Sequence, residues 1–105
     1  SFRAQKVLVA SQYVNKSISV VTDAKAKDLA GKAAVGRLPL LETSEGCVFE
    51  SNAIMRLVAD GSALVGKTAF ETAQINSWID FCANEIEIPA TCLTYAIIGW
   101  MANGQ

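Results

Sequence analysis

The stretch LPLLETSEGCVFESNAI, from Leu38 to Ile54, decides the fold. Two short apolar runs flank the polar segment Thr43–Gly46, and this pattern predicts a β-hairpin with strands over Leu38–Glu42 and Cys47–Glu50. The second run stops at a carboxylate, a hydroxyl and an amide, directly before a helical pattern begins. Ser51 is therefore predicted as the N-cap of a helix.

The flanking segments predict further helices and one more strand. Helical spacing of apolar and small residues indicates an amphipathic helix over Phe2–Val14, and alternation of polar and β-branched residues indicates a strand over Ile18–Val21. Asp23–Ala34 is predicted as another helix. The helix after Ser51 is expected to end near Gly61, a residue type that suits the left-handed conformation beyond a helix end.

The second half of the chain reads as a separate helical unit. Residues 61–68 lack periodicity and are predicted as a linker between an N-terminal domain, residues 1–60, and the beginning of an all-α domain, residues 69–105. A helix is predicted over Ala69–Glu87, closed by Pro89. Its apolar stripe consists of Ile75, Trp78, Ile79, Cys82 and Ile86. This spacing predicts that Trp78, Ile79 and Cys82 are buried.

The order of elements predicts an α/β fold with a small sheet. A right-handed strand-helix-strand crossover would place a parallel strand beside Ile18–Val21, but the sequence shows no strand before the first helix. We therefore expect that a first strand is missing ahead of Ser1. With it restored, the order becomes βαβαββα followed by helices.

Composition excludes several classes of function. The chain has 105 residues, a net charge of -1 and no basic cluster, so direct nucleic-acid binding is disfavoured. It contains no histidine, which excludes Ser-His or Cys-His catalysis within the chain, and no metal site is predicted. The longest uncharged run, Ile88–Gly104, is too short for a membrane-spanning helix.

Three widely spaced cysteines, Cys47, Cys82 and Cys92, indicate buried thiols in a reducing compartment, and a cytoplasmic location is expected.

Several motifs together resemble the glutathione transferase superfamily, whose first domain is thioredoxin-like. GRLPLLE, residues 36–42, is similar to the family's cis-proline segment, and FESNAI, residues 49–54, is similar to its Glu/Gln-Ser signature. Within the superfamily, these segments most resemble the gamma-subunit family of the eukaryotic translation elongation factor 1 complex. The opening SFRAQKVLVASQY and the later INSWIDFCANEIEIPA support that resemblance.

The resemblance implies a glutathione-binding site made of Leu38, Pro39, Glu50 and Ser51. The Leu38-Pro39 bond is expected to be cis, with the Leu38 main chain open to an extended peptide. Glu50 would accept the glutamyl ammonium, and Ser51 with the helix N-terminus would hold the carboxylate.

Simpler interpretations of the same residues stay open. A role as helix N-cap would alone explain the presence of Ser51, and Pro39 could be required only by the fold. Glu50 could pair with an arginine, for which the candidates are Arg3, Arg37 and Arg56. Trp78 and Phe81 suit a core or a dimer interface better than a ligand cage. The catalytic residue is unknown, since its place in the transferases falls at or before Ser1, itself a weak candidate.

The function implied by the resemblance is a scaffold that anchors nucleotide-exchange subunits in protein synthesis, with little or no catalysis. No cofactor is required, and glutathione is the ligand or substrate to consider. A catalytic glutathione S-transferase is the alternative, and an assembly domain of an aminoacyl-tRNA synthetase ranks third. A homodimer and a synthetase partner stay open.

Overall fold

The computed structural model describes residues 2–22, 28–29, 31–32 and 35–99. The chain divides into two units, Ser1–Val65 and Gly66–Gln105. In chain order the elements are α1 (Phe2–Tyr13), β1 (Leu40–Thr43), β2 (Gly46–Phe49), α2 (Ser51–Ala59), a 3-10 turn (Ala63–Val65), α3 (Ala69–Phe81), a π-helical segment (Cys82–Glu87) and α4 (Ile88–Ile97).

The predicted hairpin is present. β1 and β2 pair antiparallel, with Leu40 opposite Phe49 and Thr43 opposite Gly46. The Thr43 hydroxyl donates to the Gly46 carbonyl at 2.9 Å and accepts from the Glu45 N–H at 3.2 Å, which fixes the turn. β1 begins at Leu40 rather than Leu38, because Pro39 has no N–H to contribute to a strand ladder.

The core of the first unit lies between α1 and α2. Val7 from α1 packs with Ile54 and Val58 from α2, and Ile54 is only 2% exposed. Partly buried side chains around this cluster are Val14, Ile18, Leu41, Val48 and Met55. Full burial of one such aliphatic side chain stabilises the fold by about 1.5–3 kcal/mol. The predicted amphipathic character of α1 is confirmed, with Val7, Ala10 and Ser11 on its buried side.

Two predictions for the segment after α1 have different outcomes. The prediction of a strand over Ile18–Val21 is wrong, because a strand requires a paired neighbour and no described residue pairs with this segment. The predicted helix over Asp23–Ala34 lies largely outside the described residues. Gly61 has φ +76 directly beyond α2, as predicted for a residue after a helix end.

The second unit opens with a well-formed helix start. The Thr68 side chain accepts a hydrogen bond from the Glu71 N–H at 3.1 Å, and the Glu71 carboxylate accepts from the Lys67 N–H at 2.7 Å. Each side chain thus accepts a hydrogen bond from a backbone N–H group that has no carbonyl partner within the helix. Gly66 has φ +84, and a Cβ there would meet the Thr72 nitrogen at 2.7 Å, so the approach to the helix requires glycine.

The prediction that Pro89 closes the helix is wrong. The backbone stays helical through the π-helical segment Cys82–Glu87 and into α4. Pro89 lies in the first turn of α4, where a missing N–H and a fixed φ are tolerated. The change in hydrogen-bond register before Pro89 therefore accommodates a residue that would break a regular α-helix.

The predicted burial of Trp78, Ile79 and Cys82 is also wrong. Trp78 is 69% exposed, Cys82 is exposed and Ile79 is half-buried. Trp78 instead contacts Phe81 edge to face, with ring centroids 6.0 Å apart. A helix face is buried only where another element packs on it, and the described helices of this unit follow one another along a continuous helical backbone.

The cysteines were expected to be buried, and all three are exposed. Cys47 is exposed because neighbouring strand residues point to opposite faces, and Val48 is the β2 side chain that packs on the core. Cys82 and Cys92 lie on helices of the second unit that carry no buried residue among those described.

No helix in the described part of the chain is both long and apolar enough to cross a membrane.

Candidate functional site

The hairpin register brings the four predicted site residues to one end of the sheet. Leu40 pairs with Phe49, so the residues just before β1 and just after β2 leave the same end of the hairpin. Leu38 and Pro39 precede that pair, while Glu50 and Ser51 follow it. Segments twelve residues apart in sequence therefore meet at the N-terminus of α2.

Leu38 and Pro39 form the first side of this site. Their peptide bond is cis, as predicted. Both residues line a groove in the first unit, and the Leu38 side chain is 52% exposed. Glu50 and Ser51 are not among the residues that line this groove. Leu38 lies ahead of the paired residues of β1, so its main-chain N–H and C=O are not part of the hairpin ladder.

Glu50 has an unusual backbone conformation. Its φ of 68° and ψ of 115° are rarely adopted by residues with a side chain, and the associated cost is about 1–3 kcal/mol. Its carbonyl accepts the Ile54 N–H at 3.0 Å, which closes the first turn of α2. The carboxylate is exposed and has no ion-pair partner within the described ranges. Such strain is characteristic of ligand-binding positions.

The prediction that Ser51 is the N-cap is wrong. Ser51 is the first residue of α2 and is only 7% exposed, while Glu50 precedes the helix and makes no side-chain cap. The positive φ of Glu50 turns the chain so that the helix begins one residue earlier than a serine cap would allow. The N–H groups of the first helical residues have no partner inside the helix and point toward this end of the hairpin.

A lysine contact joins α1 to the same helix start. The Lys6 ammonium donates to the Asn52 side-chain oxygen. The Lys16 ammonium donates to the Val58 carbonyl at 2.8 Å, near the opposite end of α2. Sequence reasoning found neither contact, because each depends on how α1 packs against α2 and no local motif signals it.

An exposed ion pair lies beside β1. The Lys32 ammonium is 2.7 Å from Glu42 Oε1, and the hydrogen bond to Glu42 and its charge raise the pKa of Lys32. Exposed pairs of this kind contribute little to stability because water screens them.

Replacing Glu50 with glycine is expected to stabilise the chain by about 1 kcal/mol. Glycine adopts positive φ without a steric penalty, and this relief exceeds the entropy that glycine adds to the unfolded chain, about 0.5–1 kcal/mol. Urea denaturation of wild type, Glu50→Gly and Glu50→Ala measures the effect. Alanine keeps the Cβ and gains nothing from it, so equal stability of the two variants would contradict backbone strain at this position.

The site offers a combination that suits an amino-acid head group. The Glu50 carboxylate can accept from an ammonium, and the N-terminus of α2 favours a carboxylate through its free N–H groups and helix dipole. Leu38 lines the groove, and its main chain lies outside the paired residues of the hairpin. Among the residues that the structure describes, no cluster of His, Cys, Asp or Glu could hold a metal ion.

Comparison with known proteins gives a family match for the N-terminal part of the chain. Residues 1–60 match the family model for the glutathione S-transferase N-terminal domain. Elongation factor 1-gamma of Trypanosoma cruzi is 36% identical over 95 residues, covering 81% of this chain and 23% of that protein. A probable elongation factor 1-gamma 1 of Arabidopsis thaliana is 41% identical over 92 residues, covering 79% of this chain and 22% of that protein.

Elongation factor 1-gamma of Drosophila melanogaster is 38% identical over 99 residues, covering 88% of this chain and 23% of that protein. The chain thus spans less than a quarter of the length of these curated relatives. No solved structure matches the chain. The family match confirms the predicted thioredoxin-like α/β fold class. The chain belongs to the glutathione S-transferase N-terminal domain family.

Proposed function

We propose that this chain is a transferase-like scaffold domain of an elongation factor 1-gamma subunit, acting in protein synthesis in the cytoplasm. The observation that carries the proposal is the similarity to three proteins of that name, which extends over 79–88% of the chain. Its partners would be the nucleotide-exchange subunits of the elongation factor 1 complex. Catalytic residues are not assigned.

A capture experiment tests the scaffold. The chain, immobilised, is mixed with a recombinant nucleotide-exchange subunit of the elongation factor 1 complex, and bound protein is measured by surface plasmon resonance. We expect the exchange subunit to bind the immobilised chain saturably. In the control, a catalytic glutathione transferase domain is immobilised instead, and we expect the exchange subunit not to bind it. Absence of capture together with conjugation of a chloronitrobenzene electrophile to glutathione would favour the catalytic alternative instead.

We also propose that the end of the hairpin binds the glutamyl part of glutathione. The specific observation in favour is the strained backbone of Glu50, whose carboxylate lies beside the N-terminus of α2 and has no ion-pair partner among the residues that the structure describes. Leu38 would pair its main chain with the extended peptide, and Pro39 would shape that edge. Ser51, largely buried, would contribute mainly through its backbone N–H.

This binding site is compatible with the scaffold function. Binding of the head group requires no nucleophile or base, so a retained pocket does not imply turnover. The two proposals rest on different observations and are tested separately. Capture of the exchange subunit tests the scaffold function, and titration with glutathione tests the binding site.

A further inference from the structure

Two opposite side-chain charges reach the start of α2 from different elements. The Lys6 ammonium, on α1, donates a hydrogen bond to the side-chain oxygen of Asn52, the second residue of α2. The Glu50 carboxylate belongs to the residue directly before α2, at the end of β2. The hydrogen bond from Lys6 lies beside the core contact between Val7 and Ile54, which holds α1 against α2. Packing of the two helices therefore fixes a positive charge at this helix start.

The two charges do not neutralise each other. Within the described ranges the Glu50 carboxylate has no ion-pair partner, so it is not in contact with the Lys6 ammonium. Between them lies the first turn of α2, where the Ile54 N–H is bonded to the Glu50 carbonyl and the N–H groups before it have no partner inside the helix. Separate opposite charges beside one helix end are complementary to a small molecule that carries both an ammonium and a carboxylate.

The balance of charge shows why the ammonium matters. A helix N-terminus carries about +0.5 elementary charge, and the full negative charge of Glu50 exceeds it. Without Lys6, the start of α2 would attract an ammonium but repel a carboxylate. With Lys6 the sum of these charges is positive, and each end of a zwitterion meets an opposite charge. A cation beside the positive end of a helix is itself disfavoured, and a bound carboxylate would relieve that repulsion.

We propose that Lys6 is a positioning residue of the head-group site. Held by Asn52, its ammonium directs the α-carboxylate of a zwitterionic head group to the N-terminus of α2, while Glu50 accepts the ammonium. This inference rests on the proposed binding of glutathione at the same site. It assigns to the site the class of α-amino-acid zwitterions and predicts that a head group with an amidated α-carboxylate binds more weakly.

Isothermal titration of the chain with glutathione tests the role of Lys6. Lys6→Met keeps most of the apolar stem and removes the charge. We expect its dissociation constant to be about tenfold higher than that of the wild type, because the α-carboxylate loses its attraction to the ammonium. Lys6→Arg retains a charged donor and is expected to stay within about threefold of the wild type.

Lys16→Met is the matched control. It removes the same charge from an ammonium that donates to the Val58 carbonyl, near the opposite end of α2. The dissociation constant for glutathione is expected to stay at the wild-type value. Urea denaturation of each variant measures the change in folding stability separately. An equal loss of affinity in Lys6→Met and Lys16→Met would overturn the proposal, because it would reflect net charge or helix packing.

A change in the ligand separates positioning from a structural effect. The α-amide of glutathione, in which a carboxamide replaces the glutamyl α-carboxylate, has no charge for Lys6 to direct. We expect Lys6→Met to bind this analogue as the wild type does, although it binds glutathione more weakly. Losses of equal size for the two ligands would assign Lys6 a role in packing alone and would overturn the proposal.

The role of Lys6 and the binding site itself fail in different ways. If the wild type binds glutathione and Lys6→Met binds it with the same dissociation constant, the role of Lys6 is overturned and the proposed site stands. If the wild type does not bind glutathione, the proposed site is overturned, and the role of Lys6 with it.

Discussion

Replacing Ile54 with alanine is expected to lower the free energy of unfolding by about 2–5 kcal/mol. Ile54 is the largest fully buried side chain described, and it packs with Val7 across the contact between α1 and α2. Its truncation removes apolar contacts and leaves a cavity that the two helices cannot fully close. Urea denaturation followed by circular dichroism measures the loss.

Leu57→Ala is the matched control for this experiment. It removes a side chain of equal size from the same helix, but Leu57 is 45% exposed, so the expected loss is about 1 kcal/mol. Equal losses for the two variants would show that the contact between α1 and α2 does not form the core in solution.

Replacing Glu50 with alanine is expected to weaken glutathione binding by about 1.5–3 kcal/mol, which is about tenfold to 150-fold in the dissociation constant. The glutamyl ammonium would lose a charge-assisted hydrogen bond to the carboxylate. Because alanine retains the Cβ, the backbone at this position stays as strained as in the wild type, and the change reports on the lost carboxylate. Isothermal titration with glutathione measures it.

Glu45→Ala is the control for charge. It removes the same charge from the turn at the other end of the hairpin and is expected to leave affinity unchanged. Ser51→Ala is a poorer test, because Ser51 is largely buried and its loss would alter packing as well as binding. If neither the wild type nor Glu50→Ala binds glutathione while the chain still captures the exchange subunit, the pocket proposal fails and the scaffold proposal stands.

Local sequence patterns determined much of the first unit. The apolar runs around Thr43–Gly46 specified the hairpin, because alternation and turn residues act over a few neighbours. The helix spacing of Phe2–Val14 specified α1, and the motif around Pro39 predicted the cis bond. The resemblance of these patterns to a known family predicted four site residues, and the hairpin register brings them to one end of the sheet. They are Leu38, Pro39, Glu50 and Ser51.

Only the tertiary structure decided which predicted faces are buried and how Glu50 is oriented. Trp78 and Ile54 both lie on apolar helical stripes, yet Trp78 is 69% exposed and Ile54 is 2% exposed, because burial requires a second element that the helix's own sequence does not specify. The positive φ of Glu50 is likewise not encoded by its residue type, which disfavours it. It is set by the junction between β2 and α2, where the strand pairing and the packing of α2 on α1 fix both ends of a tight connection.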